Sequence, residues 1–156
     1  MAAAGKTADL EVIIGALALP AGITIRAWDE ADFPTIQQLS QAEGWTTPLD
    51  RPDDALEAWR RSRPALVAAK GDAMMGFCRS LSDGLVTTYV AELLVVPSWR
   101  RRGIASALLD VTQRLCPGSR LDLLSTTAAG SFYQQAGFRP FSGFRLSWVE
   151  RAALRR

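Results

Sequence analysis

Between Glu92 and Leu115 the chain passes from the hydrophobic period of a buried strand to that of a packed helix across one short turn. Leu93-Leu94-Val95-Val96 is continuously apolar and partly β-branched, which suits a strand covered on both faces, and Pro97 ends it because proline has no N–H for a ladder. Ile104, Leu108, Val111 and Leu115 then recur at spacings of four, three and four, the stripe of a helix laying one face on a sheet. A crossover of this length implies that the next strand, Leu121-Asp122-Leu123-Leu124-Ser125 beyond the Pro117-Gly118 break, runs parallel to the first.

Inside the turn stand Arg100, Arg101 and Arg102, followed by Gly103, Ile104 and Ala105. A helix N-terminus offers unpaired N–H groups and the positive end of the macrodipole. Gly103 permits close approach of a ligand to the backbone, and the arginines add donors suited to phosphate oxygens. A pyrophosphate-bearing ligand is therefore favoured over a lone carboxylate. The same residues could form a solvated basic turn; the strand before and the apolar helix after supply the context an anion site requires. No Gly-x-Gly-x-x-Gly follows a strand and no Gly-x-x-x-x-Gly-Lys-Ser/Thr occurs, so dinucleotide and P-loop chemistry lack their anchors.

The length of 156 residues is that of one domain, and 48% hydrophobic content supplies a core. A net charge of +2 is too balanced for a protein whose main partner is nucleic acid. No apolar run reaches the ~20 residues of a membrane span, so no membrane partner is expected. The absence of histidine excludes imidazole-dependent triads and zinc sites, and Cys78 and Cys116 alone cannot hold a metal. Both cysteines read as buried thiols rather than a disulfide, which fits a cytoplasmic protein.

Residues 1–22 include an apolar stretch from Val12 to Gly22 with Asp9 and Glu11 just before it, and lack the basic start of a secretory signal, so they read as a leader or extra N-terminal element. The main domain is expected over 23–149, with a basic tail over 150–156. Ile23 to Trp28 alternates as a first strand. Asp29 or Asp32 caps a helix with Phe33, Ile36 and Leu39 on one face, and Gly44 stops it. Asp53 to Arg61 has acids at its start and arginines at its end, as the helix dipole prefers. Ala65–Ala69, Met74–Leu81 and Thr87–Val96 form an antiparallel meander, and Thr126 to Gly137 contains a short helix closed by Gly137. Phe138–Phe141 and Phe144–Trp148 are expected to finish the domain as a hairpin.

Two stretches of this chain resemble the GNAT superfamily of acetyl-CoA-dependent N-acetyltransferases. The first is Val95-x-Pro97 followed by Arg100, Gly103 and Ala105, which matches the family's Gln/Arg-x-x-Gly-x-Gly/Ala acyl-CoA loop. The second is Ala129-x-x-Phe132-Tyr133-x-x-x-Gly137-Phe138, in the right order downstream. The likeness covers Ile23 to Trp148, and Gly44-Trp45 with Arg79 to Gly84 add a looser likeness to the branch that acetylates arylalkylamines and other small amines. It departs at Thr126, where an Asn is frequent.

The resemblance implies an α/β mixed sheet of six or seven strands, an antiparallel meander with a splayed parallel pair, flanked by about four helices. It also implies acetyl-CoA as acyl-donor cosubstrate, held by Val95, Val96, Arg100, Arg101, Arg102, Gly103, Ile104, Ala105 and Thr126, and a small-molecule amine as acceptor. Tyr133 would protonate the departing thiolate. Glu92, or a water chain, would take the proton of the amine, and Trp45 would wall the amine site together with the acids between Asp29 and Asp54. A peptide or protein amine remains an alternative acceptor, as does a non-catalytic acyl-CoA-binding module, and a homodimer is possible.

Overall fold

The computed structural model describes residues 2–154, so Arg155 and Arg156 of the basic tail lie outside the described residues. It divides into two compact units, one ending at Leu123 and the other beginning at Leu124. The first contains α1 (Ala2–Gly15), β1 (Thr24–Ala27), α2 (Phe33–Ala42), α3 (Thr47–Asp50), α4 (Pro52–Arg61), β2 (Ala65–Lys70), β3 (Ala73–Ser82), β4 (Thr87–Val95), α5 (Ile104–Leu115) and β5 (Arg120–Leu123). The second contains α6 (Gly130–Gln135) and α7 (Trp148–Ala153).

The strands lie in sequence order, antiparallel from β1 to β4, with β5 parallel to β4. Helices cover both faces. On one, Phe33 and Ile36 of α2 and Ala55 and Trp59 of α4 pack against Val67, Phe77 and Leu94. Trp59 is wholly buried, with its ring 5.4 Å from Phe77 edge-on and 5.3 Å from Trp28. The other face carries α5, whose Ile104, Leu108 and Val111 are buried as the helical stripe requires. The buried Cys78 thiol lies 3.6 Å from the Thr112 hydroxyl of α5. Desolvation raises its pKa, which leaves it an inert core group. Both cysteines are free thiols.

Local chemistry sets the entry to α2. The Asp29 carboxylate accepts from the Ala31 N–H at 2.9 Å, and Asp32 accepts from the Asp29 N–H at 2.7 Å while pairing with Arg26 at 2.7 Å. These reciprocal bonds form a capping box ahead of the helix. The helix gives way at Gly44, whose φ of +75° suits glycine. α1 packs on α5 and β1 and buries Leu10.

A β-bulge decides which way β4 presents its side chains. Arg79 of β3 pairs with Glu92, but Ser80 pairs with Val90, leaving Ala91 without an opposite residue. Before the bulge, even-numbered Thr88 faces the side of α5, bonding Ser119 at 2.8 Å. After it, even-numbered Leu94 joins the Trp59 cluster on the opposite face. The extra residue therefore turns Glu92 to the α4 side of the sheet, where an unbroken alternation would have turned it to α5.

Three expectations about the fold require correction. The sheet has five strands, not six or seven, and seven α-helices are present among the described residues, not about four. The terminal hairpin over 138–148 does not form. Residues 138–147 are irregular, and Ser147 opens α7 through a capping box, its hydroxyl accepting from the Glu150 N–H at 3.2 Å while Glu150 accepts from the Ser147 N–H at 2.6 Å. Phe144, Leu146 and Trp148 alternate as a strand would, but the capping box starts a helix at Trp148, and Pro140 has no N–H for a ladder.

Candidate active site

β4 pairs with β5 only over Thr87–Val90, so from Ala91 onward its far edge has no partner on β5. The Val96 N–H donates to the Met75 carbonyl at 2.9 Å and is committed to the sheet. Strand alternation then turns the N–H and C=O groups of Leu93 and Val95 toward the open edge. Val95 was named from the sequence; Leu93 was not, because only the register shows which amides face β3. At this edge the Val95 carbonyl already accepts from Arg100 Nε at 2.9 Å.

Past Pro97–Trp99, which form a 3-10 turn, the chain enters α5 through two left-handed residues, Arg101 at φ 59° and Gly103 at φ 85°. Among the described residues, no backbone carbonyl accepts from the N–H groups of Arg101 to Ser106. Such N–H groups, with left-handed backbone at Arg101 and Gly103 and a twelve-residue helix behind them, form a nest for an anion. Backbone donors arranged in this way suit a diphosphate.

The arginine side chains divide their tasks. Arg100 pairs with Glu43 as well as with the Val95 carbonyl, so it ties the loop to the end of α2 and to the strand edge. Arg102 lies over the Trp99 ring at 4.6 Å, and Lys70 lies over the same ring at 4.6 Å. Cationic charge is thus held beside the loop by an aromatic platform. Removing the Arg100 guanidinium leaves the Val95 carbonyl and Glu43 without this partner. In the acetyltransferase reading proposed below, Arg100→Ala is therefore expected to weaken acetyl-CoA by about tenfold, the scale of one charged hydrogen bond, when measured by calorimetry.

A cavity of about 230 Å³ lies on the α4 face of the sheet. Its charged lining consists of Arg51, Asp54, Arg79 and Glu92, with Ala55, Ala58 and Trp59 supplying apolar surface. Glu92 Oε1 accepts from Arg79 Nη2 at 3.1 Å, and Arg79 Nη1 donates to the Ser62 hydroxyl at 3.1 Å. Glu92 Oε2 is buried without a hydrogen-bond partner. One oxygen of the carboxylate is thus anchored and the other keeps its lone pairs for a ligand. Arg79 entered the sequence reading only through the looser family likeness and was not named as a site residue; its signal was an arginine within the strand-like run from Met74 to Leu81.

The other expected residues fall elsewhere. Trp45 is partly exposed and stands two positions before Thr47, outside the cavity lining, although Thr47 itself lines it. Among the acids between Asp29 and Asp54, Asp54 lines the cavity, paired to Arg51 at 2.7 Å, whereas Glu43 is taken by Arg100. Thr126 and Tyr133 belong to the second unit. Thr126 precedes a 3-10 turn without capping it, and Tyr133 lies edge-on to Phe132 at 5.0 Å and Phe138 at 5.6 Å. Among the described residues no cluster could hold a metal ion, and no helix is long and apolar enough to cross a membrane.

A mixed sheet whose parallel pair stops short of an anion-ready helix start is the architecture of a GNAT-like acetyltransferase. A family model described as an acetyltransferase (GNAT) domain matches residues 61–140, and the chain belongs to that family. A Deinococcus radiodurans R1 protein classed as an acetyltransferase is 26% identical, with a TM-score of 0.67 over 88% of this chain and 96% of its own. A GNAT family acetyltransferase of Streptococcus pneumoniae TIGR4 is 25% identical, with a TM-score of 0.64 over 81% of this chain and 97% of its own. The aminoglycoside N-acetyltransferase AAC(6')-Iy, solved with CoA, shares the fold at 19% identity and a TM-score of 0.66, over 83% of this chain and 97% of its own. No curated protein sequence matches the chain.

Proposed function

We propose that the protein is an acetyl-CoA-dependent N-acetyltransferase that moves the acetyl group from the thioester directly to a primary amine of a small molecule. One observation carries the reading. A single strand, β4, holds a carboxylate with a free oxygen at Glu92 and, one and three residues on, backbone groups turned to an open edge that leads into the anion nest. The similarity to an aminoglycoside N-acetyltransferase, whose name denotes a small amine-bearing acceptor, supports the same acceptor class.

In this reading the loop from Arg101 to Ala105 anchors the diphosphate, and the open edge at Leu93 and Val95 binds the pantetheine amides. An N–H on that edge polarises the acetyl carbonyl. A primary amine has a pKa near ~10.4 and arrives protonated, so it must lose a proton before nitrogen can attack. Glu92 Oε2 takes that proton, directly or through one water. The nitrogen lone pair then forms the N–C bond, the C–S bond breaks, the sulfur leaves with its electron pair, and the new amide nitrogen gives up its second proton to water. Tyr133 is the proposed donor of the proton that converts the thiolate to a thiol.

Thiol release from acetyl-CoA, followed against a panel of small amines and peptides, tests the assignment. Release no faster than the enzyme-free blank with every acceptor would end it, and turnover confined to peptide N-termini would replace the small-molecule class. Trp45, beside the cavity segment rather than in its lining, should act on the acceptor alone. Trp45→Ala is expected to raise the amine KM by about two- to fivefold, the worth of one exposed cation–π contact, with acetyl-CoA affinity unchanged. Equal losses for both substrates would make Trp45 a support of the fold.

A further inference from the structure

We propose that the acceptor held beside Glu92 is an amino acid or a close analogue, an amine carrying its own carboxylate, and that Arg79 recognises that carboxylate; the inference rests on the acetyltransferase reading above. Three residues lining the cavity each have a buried polar atom without a hydrogen-bond partner: Nε of Arg79, Nε1 of Trp59 and Oε2 of Glu92. The first two can only donate, and an ionised carboxylate oxygen can only accept. A buried polar group left unpaired bears its full desolvation cost, so three such groups on residues that line one cavity favour a ligand toward which they can turn and which satisfies them. That ligand offers lone pairs to Arg79 and Trp59 and an N–H to Glu92. A plain alkylamine offers only the N–H. An amino acid offers both, one carbon apart, and Glu92 and Arg79 are themselves neighbours at 3.1 Å.

Charge leads to the same class. The lining contains two cations and two carboxylates, paired as Arg51 with Asp54 and Arg79 with Glu92. Such a lining has no surplus charge to offset a desolvated cation, whereas a zwitterion brings none and aligns its ends with the Arg79–Glu92 dipole. Arg79 spends Nη1 on Ser62 and Nη2 on Glu92, which fixes the guanidinium plane and leaves Nε–H for the ligand. The volume of about 230 Å³ falls below the ~300–1,000 Å³ of pockets for drug-sized ligands, so a single amino acid fits better than a peptide. Ala55, Ala58 and the Trp59 ring favour an apolar side chain.

The test uses matched pairs of acceptors, each an apolar amino acid and the amine left when its carboxylate is removed. Thiol release from acetyl-CoA and calorimetric binding in the presence of CoA are both recorded. The amino acid is expected to exceed its amine in kcat/KM by about ten- to a hundredfold, the effect of one charge-assisted hydrogen bond. Arg79→Gln should collapse that ratio by at least about tenfold, and Arg79→Lys, which keeps the charge but loses the planar fork, should restore only part of it. If Arg79→Gln does not fold, the wild-type pairs and the lysine variant decide. Equal or better turnover of the decarboxylated amines overturns the amino-acid assignment and leaves the acetyltransferase reading standing. Amino-acid binding without acetyl transfer to any acceptor does the reverse. Absence of both binding and transfer overturns the two together.

Discussion

Gly103→Val is expected to raise the dissociation constant of acetyl-CoA by about a hundredfold or more, the largest binding effect of any single change in the loop. The cause is the backbone rather than crowding inside the protein. Gly103 sits at φ +85°, and a Cβ there would meet only Pro20 Cγ at an ordinary 3.6 Å. A β-branched residue resists that conformation at a cost of about 1–3 kcal/mol, so the loop relaxes and the N–H groups from Arg101 to Ser106 lose their common aim. The added side chain would also stand where the diphosphate must approach. Gly103→Asn is the control, because asparagine tolerates left-handed φ and should retain most of the affinity. Calorimetry on folded variants reads both, and unchanged affinity in the valine variant would remove the loop from the cofactor site.

The second large effect is on chemistry. Tyr133→Phe is expected to lower the single-turnover rate by about 10²–10⁴-fold, the range of a lost general acid, while acetyl-CoA affinity stays within about twofold. Only the phenolic O–H is deleted. The ring keeps its edge-on contacts with Phe132 and Phe138, and a melting temperature equal to that of the wild type checks that the second unit still folds. Glu92→Gln supplies the complementary measurement. It removes the proposed base but retains an oxygen that can face Arg79, so kcat should fall at neutral pH and recover as rising pH deprotonates the free amine. A Tyr133→Phe enzyme with the wild-type rate would pass the proton donation to water.

Signals confined to one segment were legible in the sequence. The apolar run before Pro97, the stripe from Ile104 to Val111, the acids and arginines of α4 and the glycine at position 44 each predicted an element that forms. Local does not mean unambiguous, however. Around Trp148 the alternation of Phe144, Leu146 and Trp148 competed with the Ser147-x-x-Glu150 capping box, both visible in the chain, and the box prevailed. A helix start satisfies its orphan donors with neighbours in sequence, whereas a strand needs a partner found only in three dimensions.

The sequence by itself therefore determined the order of the five strands with α2, α4, α5 and α6 among them, the glycine-gated helix start that suits an anion, and Glu92 as a carboxylate on the strand that leads to it. Tertiary structure decided what that carboxylate faces. The bulge at Ala91 exists only through the pairing of β4 with β3, and it turns Glu92 from the α5 side into the cavity beneath α4. Register then sets Arg79 opposite it, thirteen positions away in sequence. Strand side chains alternate with a period of two, so one unpaired residue inverts every orientation beyond it, and no reading of composition or spacing reveals where that residue falls.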